Sequence, residues 1–323
     1  EMGDKMYSIG VDIGGTGIKA GVVDEQGKII YRANCKTDVD GGFDRIISDI
    51  NTMVRNMLSE NDITNEQIQS IGFGVPSFIN SEGKVTCVNL GWFEVDFVPK
   101  LKEIFPEFDI FVENDATVAA LAESKFGSMS GNDISVLLTL GTGIGGGIII
   151  NNKPFVGAHG MASEIGHVVI GENTYNCNCG NNGCFETFCS ATALIKHTQE
   201  RIKQSEKDTK QYKSMILDMC EGCLDKINAK IVFDAYRHKD KLAKEIIERF
   251  KNYLAIGIAG VVNTLDPDII AIGGGLSKSS DIILEGLKDM TRKHILYKKE
   301  NFADIVVATL GNDAGIIGAA FLR

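Results

Sequence analysis

Between Gly166 and Ser190 the sequence reads GHVVIGENTYNCNCGNNGCFETFCS, which holds one histidine, His167, and three close cysteines, Cys177, Cys179 and Cys184. A Cys-x-Cys-x4-Cys spacing with a histidine upstream suits tetrahedral Zn2+, and thiolates select zinc over Mg2+ or Ca2+. The three cysteines alone could be reduced, unliganded loop residues. The histidine in the same segment, with glycine and asparagine turns between, argues for metal. Four protein ligands leave no open position for water or substrate, so the ion reads as structural. Cys220 and Cys223, in CEGC, fall on an expected helix with no further ligand nearby and read as packing.

Glycine loops are the second chemical feature. GTGIGG at 141–146 fits the dinucleotide pattern with Gly141, Gly143 and Gly146. That pattern works only when a helix follows and turns its N-terminus to the pyrophosphate. Here GIIINNKPF follows, a strand and a turn, so the dinucleotide reading is set aside. The Walker A pattern is absent, since GK at 27–28 and 83–84 precedes neither Ser nor Thr. A hairpin loop can still cradle phosphate with its own amides. Gly14, Gly15 and Thr16 would do so after one buried strand, and Gly141, Thr142 and Gly143 after another. Each loop alone could be only a tight turn; two of one design favour phosphate. Asp12 sits where its carboxylate could hold Mg2+ and its waters. A third loop, Gly273 to Gly275, either walls a nucleotide or simply ends a strand.

FVENDATVAALAE places Asn114 and Asp115 at the end of a strand, just before a helix. A carboxylate there can take the proton of an attacking hydroxyl. By itself, though, it reads first as a helix N-cap.

DIGGTGIKAG, LGTGIGGG, END, EIGH and CNCGNNGCFE together resemble the ROK family of repressors and sugar kinases, from about Tyr7 to Ala320. The resemblance implies the actin-like, sugar-kinase ATPase fold (ribonuclease H-like): a two-lobed α/β molecule with duplicated domains and an inserted zinc loop. It implies Asp115 as general base and sugar contact, and Asn114 as sugar ligand. Further sugar contacts implied are Asn89 in VNLGW, Glu164 and His167 in EIGH, and Glu186 in CFE. ATP and its Mg2+ would meet Asp12, Gly14, Gly15, Thr16 and Lys19, then Gly141, Thr142 and Gly143, then Gly274 and Gly275. The zinc set of His167, Cys177, Cys179 and Cys184 would be structural, fixing the carboxylates of Glu164 and Glu186 nearby. Two departures stand out: Thr117 replaces a common Asn, and Ser77 in GVPS replaces a common Gly, where a side chain would narrow the sugar pocket.

These residues need a frame. The opening segment reads as strand (6–12), glycine loop, strand (18–24), DEQG turn and strand (28–35). DISVLLTLGTGIGGGIIINNKPFVGA repeats strand, glycine loop, strand, an NNKP turn and strand, some 130 residues on, which points to an internal duplication with two halves facing across a cleft. Helices are expected over 43–60, from Ala116, over 190–204, 229–237 and 241–265, with a polar stretch around 205–215. IQSIGFGVP, DIFVEND, PDIIAIGG and ADIVVATL read as buried strands, and DAGIIGAAFLR as a closing helix. A smaller α/β lobe would span 1–115 plus 312–323, and a larger one 116–311 with the zinc loop at 166–190.

Composition excludes other classes. A net charge of −10 with no basic cluster argues against nucleic acid. No apolar run reaches the roughly 18 residues a membrane span needs. The N-terminus lacks the form of a signal peptide, and Glu1–Lys5 could be a vector remnant. Eight cysteines without a signal peptide suit a reducing, cytoplasmic compartment. The expected activity is ATP-dependent phosphorylation of a hexose 6-hydroxyl, glucose first, with N-acetylmannosamine, N-acetylglucosamine, fructose and allose open. The resemblance also implies a homodimer, with the helices of 190–265 as its interface. A sugar-responsive repressor would need a DNA-binding module ahead of DIGGT, where only eleven residues precede Asp12. A sugar sensor without catalysis would need Asp12, Asp115 or the loops spoiled, and all are intact.

Overall fold

The structure, a computed structural model, describes residues 6–207 and 214–323, with side chains described outside 205–213. The suspected vector remnant at 1–5 and most of the polar stretch at 205–215 lie outside the described residues.

The chain opens with β1 (Tyr7–Ile13), β2 (Gly17–Val23) and β3 (Ile29–Lys36), then α1 (Gly42–Glu60) and β4 (Ile68–Val75). A small hairpin, β5 (Val85–Cys87) and β6 (Trp92–Val95), precedes α2 (Phe97–Ile104), β7 (Asp109–Asn114) and α3 (Asp115–Phe126). The motif then recurs as β8 (Ile134–Leu140), β9 (Ile144–Ile150) and β10 (Lys153–Pro154). Helices follow: α4 (Glu186–Cys189), α5 (Ala191–Lys207), α6 (Met215–Met219), α7 (Ala229–Arg237) and α8 (Lys241–Leu265). The chain closes with β11 (Ile269–Gly273), α9 (Ser280–Ile283), α10 (Leu287–Arg292), β12 (Asp304–Val307) and α11 (Ala314–Ala320).

The duplication is visible in the sheets. The first has the order β3-β2-β1-β4-β7 and the second β10-β9-β8-β11-β12. Each begins with two seven-residue strands joined by a three-residue glycine loop, 14–16 and 141–143. In the first sheet β1 and β2 are antiparallel, with Asp12 opposite Lys19, and β1, β4 and β7 run parallel. The second copy is cut short. Its turn is Asn151–Asn152, both in the left-handed region, and Lys153 and Pro154 already pair with β9. The expected NNKP turn is therefore two residues shorter.

Helix positions follow from capping and burial. α1 buries Ile46, Ile47, Ile50, Met53, Val54 and Met57 at spacings of one, three and four, the stripe that seats a helix on a sheet. α8 starts where Asp240 accepts the Ala243 N–H at 2.8 Å, and stops at Asp266, left-handed and followed by Pro267. α2 and the β5–β6 hairpin were not expected from the sequence. The CEGC pair is not helical: Cys220 and Cys223 close a turn after α6, with the Cys223 N–H donating to Cys220 O at 2.9 Å and Glu221 and Gly222 both left-handed.

The chain divides into two compact units. One comprises Glu1–Leu137, Gly147–Ser163 and Ala308–Arg323, the other Leu138–Gly146 and Glu164–Val307. The division does not fall at 115/116 or 311/312, because α3 packs against α11 and β4 and stays with the first sheet. Glycines make this packing possible. A Cβ on Gly10 would lie 1.8 Å from Ile316 O, one on Gly72 1.7 Å from Ala319 O, and one on Gly318 1.9 Å from Val118 O. Glycine inside a strand commonly marks such a close backbone approach.

Candidate functional site

The first unit carries two groups of expected site residues. At the first glycine loop, the Gly14 N–H donates to Gly17 O at 3.0 Å, and the Thr37 hydroxyl to Gly14 O at 2.7 Å. Both bonds hold the loop from below. A Cβ built on Gly15 meets nothing within 4 Å, and its φ is not left-handed. Nothing among the described residues therefore requires glycine there. Asp12 lies at the foot of this loop, half-buried, and burial raises its pKa, with Lys19 opposing. The start of α11 comes close enough that a Cβ on Gly315 would sit 2.6 Å from the Asp12 carboxyl carbon. Lys19 also bears on Asp313, whose pKa is lowered first by its two bonds from Arg32, at 2.7 and 2.8 Å.

The second group lies at the ends of β4, β5 and β7. Asn114, not Asp115, caps α3: its Oδ1 accepts from the Ala116 and Thr117 N–H groups at 3.0 and 3.3 Å. Asp115 is the first helical residue, half-buried, with Oδ1 2.8 Å from the Ala116 nitrogen. The buried Thr117 sits within the first turn. The Asn114 amide donates to Ser77 O at 3.4 Å. Asn89 is exposed in a short turn, Val88–Leu90, at the tip of the β5–β6 hairpin. Cys87 links these parts. Its thiol reaches Pro76 O at 3.6 Å and takes the Leu90 and Asn89 N–H groups. Burial raises its pKa, and the nearby Asp115 charge adds to that.

In the second unit the four residues expected to bind zinc converge. The ligand atoms of His167, Cys177, Cys179 and Cys184 all lie within 4.8 Å of one another. Cys177 Sγ is 3.6 Å from His167 Nδ1, and Cys179 Sγ 3.5 Å from Cys184 Sγ. A tetrahedron with Zn–S arms of about 2.3 Å has edges of about 3.8 Å, so the set fits zinc. The frame is a pair of short strand-like segments. Ile170 N–H donates to Gly183 O at 2.9 Å, Phe185 N–H to Val168 O at 2.8 Å, and Cys177 N–H to Asn181 O at 2.8 Å. Gly183 is left-handed, and a Cβ there would strike Gly171 O at 1.6 Å. The Asn181 N–H helps hold the Cys179 thiol down to about 7, while burial pushes Cys177 up.

Glu186 joins the metal residues to the second glycine loop. Its Oε1 accepts the Cys177 thiol at 3.0 Å and its Oε2 the Ile144 N–H at 3.3 Å. A Cβ on Gly143 would lie 2.5 Å from Oε2. Gly166, between Glu164 and His167, has no room for a side chain either, with Ile144 O at 2.1 Å. Gly274 lies against the same strand end, a Cβ there falling 2.5 Å from Leu140 O. Gly141, like Gly15 in the first loop, and Gly275 have open space above them. Glu164 is exposed, bonded to His167 through the backbone. Asn89, Asn114 and Asp115 are thus gathered in one unit, and Glu164, His167 and Glu186 in the other. Cys87 and Gly315 are contacts that sequence reasoning did not assign, and Ser77, expected to narrow the sugar pocket, instead bonds Thr86 O and the Asn114 amide; of the two unassigned residues only the glycine, placed after a strand and a loop, carried a signal of close approach.

Paired glycine loops on duplicated sheets define an actin-like, sugar-kinase type of α/β protein. Within that class the chain belongs to the ROK family, whose signature matches residues 8–323. It is 36% identical to a glucokinase of Halalkalibacterium halodurans over 99% of this chain and 96% of that one. It is 35% identical to a Thermotoga maritima glucokinase over 98% and 96%. Among solved structures it is similar to a ROK family glucokinase from Streptomyces griseus in complex with glucose and AMPPNP, with 30% identity, TM-score 0.79, and coverage of 98% and 99%.

Proposed function

We propose that the protein is an ATP-dependent glucokinase, transferring the γ-phosphate of ATP to the 6-hydroxyl of glucose. The observation that carries phosphate binding is the pair of open glycines. Gly15 and Gly141 are demanded neither by backbone conformation nor by a neighbouring atom, so the space above each loop is left for a ligand. Glucose as acceptor rests on full-length similarity to glucokinases. In this reading Asp12, Gly14, Gly15, Thr16 and Lys19 in the first unit, and Gly141, Thr142, Gly143, Gly274 and Gly275 in the second, bind ATP. Asp12 would hold its Mg2+, which neutralises phosphate charge; a half-buried carboxylate with a raised pKa gains from a cation.

Asp115 accepts the proton of the sugar hydroxyl as that oxygen attacks phosphorus. Because Asn114 supplies the cap, the helix start does not depend on Asp115. Asn89 and Asn114 in the first unit, and Glu164, His167 and Glu186 in the second, bind sugar hydroxyls. His167, Cys177, Cys179 and Cys184 would hold Zn2+, which stabilises their hairpin and takes no part in the transfer. A zinc-bound Cys177 thiolate has no proton to donate, which leaves Glu186 Oε1 to accept from the sugar. The cytoplasmic setting is supported by eight free cysteines. A homodimer through the helices of 190–265 rests on the family resemblance.

The test is ADP release with Mg-ATP across glucose, fructose, allose, mannose and the N-acetylhexosamines. Turnover led by glucose is expected. Turnover led by an N-acetylhexosamine would displace the glucose assignment, and none on any sugar, from zinc-loaded folded protein, would overturn the kinase.

A further inference from the structure

The hairpin that carries Asn89 is small, three residues in β5 and four in β6. A two-stranded hairpin is marginal by itself. Its base is fixed by apolar anchors, since Val85, Leu90 and Trp92 are buried. Thr86 Oγ1 also accepts the Glu94 N–H at 3.0 Å and braces the two strands against each other. None of these contacts sets the polar tip against the strand end that carries Asn114 and Asp115. That link is made at residues 76 and 77, which meet Cys87 and Thr86 of β5.

Pro76 forms a tight turn after β4, the Ser77 N–H donating to Val75 O at 2.8 Å. The turn presents Ser77 to two other segments. Its hydroxyl donates to Thr86 O in β5, with Phe78 O a distant alternative at 3.5 Å. Its carbonyl accepts the Asn114 amide at 3.4 Å. One residue back, Pro76 O receives the Cys87 thiol. Ser77 is therefore the one described residue bonded both to the hairpin of Asn89 and to Asn114, next to Asp115.

We infer that Ser77 is a positioning residue for the sugar, its hydroxyl latching the Asn89 hairpin to the segment that carries Asn114 and Asp115. The inference rests on the glucokinase reading. Ser77 touches no reacting atom in this account. It sets the spacing between two groups that bind the same ligand, so its loss weakens sugar binding and leaves the phosphate side unchanged. Asn114 keeps its cap bonds to Ala116 and Thr117 without the latch, so the start of α3 and Asp115 stay in place.

The experiment compares wild type, Ser77→Ala and Ser77→Thr, each zinc-loaded, by steady-state kinetics on glucose and on ATP and by glucose calorimetry. Ser77→Ala is expected to raise the glucose KM and Kd by roughly three- to tenfold, the factor one hydrogen bond carries. Its kcat and its ATP KM stay within about twofold, and Ser77→Thr, which keeps the hydroxyl, returns both sugar constants toward wild type. An alanine variant with unchanged sugar KM and Kd overturns the inference. So does an equal rise in the ATP KM, or a threonine variant as impaired as alanine. Wild-type protein without turnover on any sugar would instead sink the kinase reading itself, a separate outcome.

Discussion

Asp115 and the glycines divide the residue scale into chemistry and construction. Asp115→Asn keeps the size and the helix start, because Asn114 caps α3, and removes only the proposed proton acceptor. General-base catalysis contributes roughly 10²–10⁴ in rate. Asp115→Asn should lose that much in kcat, measured by ADP release, while glucose affinity by calorimetry stays within a few-fold. Loss of binding in step with kcat would make Asp115 a sugar ligand only. The glycines separate just as sharply. Gly15→Ala and Gly141→Ala add a methyl that meets no protein atom, so thermal stability should hold or rise slightly while the ATP KM climbs about tenfold or more. Gly72→Ala puts the same methyl 1.7 Å from Ala319 O and should destabilise by more than about 4 kcal/mol, in the range kept for severe overpacking. Thermal melts and ATP kinetics on the three variants check both claims. The sequence already suggested that Gly15 and Gly141 serve a ligand, because they follow buried strands in matching loops. It gave no sign that Gly10 and Gly72 serve α11, because their partner lies some 250 to 300 residues away in the chain.

Elements were legible where local pattern settles them. α7 and α8 fall where periodicity places them, at 229–237 and 241–265, and the glycine hairpins repeat as the motif repeats. α2 was missed because Pro99 interrupts its short pattern, although proline is tolerated in a first turn. The β5–β6 hairpin was missed because its strands are three and four residues long and rest on tertiary burial of Trp92. On the proposed reading, the 166–190 segment is the element whose fold depends most on a ligand. Few of its backbone bonds are regular, and its four donors crowd together. Atomic-emission analysis should find one zinc per chain. Chelation or Cys184→Ser should raise the glucose KM several-fold, because the hairpin that carries Glu186 loses its anchor. Faster amide exchange should appear in 167–187 and leave β1, β4 and β8 protected. Full activity with no bound metal would show that the cysteines serve as packing.

Across the molecule, duplication explains why two sheets share one strand order, and why both glycine loops were readable: each is a local motif copied once. The positions at which site residues meet were not readable, since Ser77, Thr86 and Asn114 come from three separate segments. Acid stability is also a property of the molecule, and His197 makes it testable. Burial drives its pKa down from 6.5 to about 4, and Arg249 and Arg201 push it the same way, against Glu245. Arg201 is held by Glu245 at 2.6 Å, and Arg249 lies over the rings of Tyr253 and Phe188, 4.9 and 5.5 Å from their centroids. Neither cation can move away without losing those contacts. As pH falls through 6.5 the unfolded chain takes up a proton on this histidine, and the folded chain does not until near pH 4. The unfolded state then binds more protons, so stability declines on acidification across that window. The side chain is only partly buried, so solvent screening keeps the slope well under the roughly 1.4 kcal/mol per pH unit of a full proton. His197→Gln removes the titration but keeps a polar side chain of similar reach. Urea midpoints of the two proteins should run parallel above pH 7 and separate between pH 6.5 and about 4, the wild type falling faster. Parallel curves through the whole range would mean that His197 takes up its proton as readily in the folded protein as in the unfolded chain.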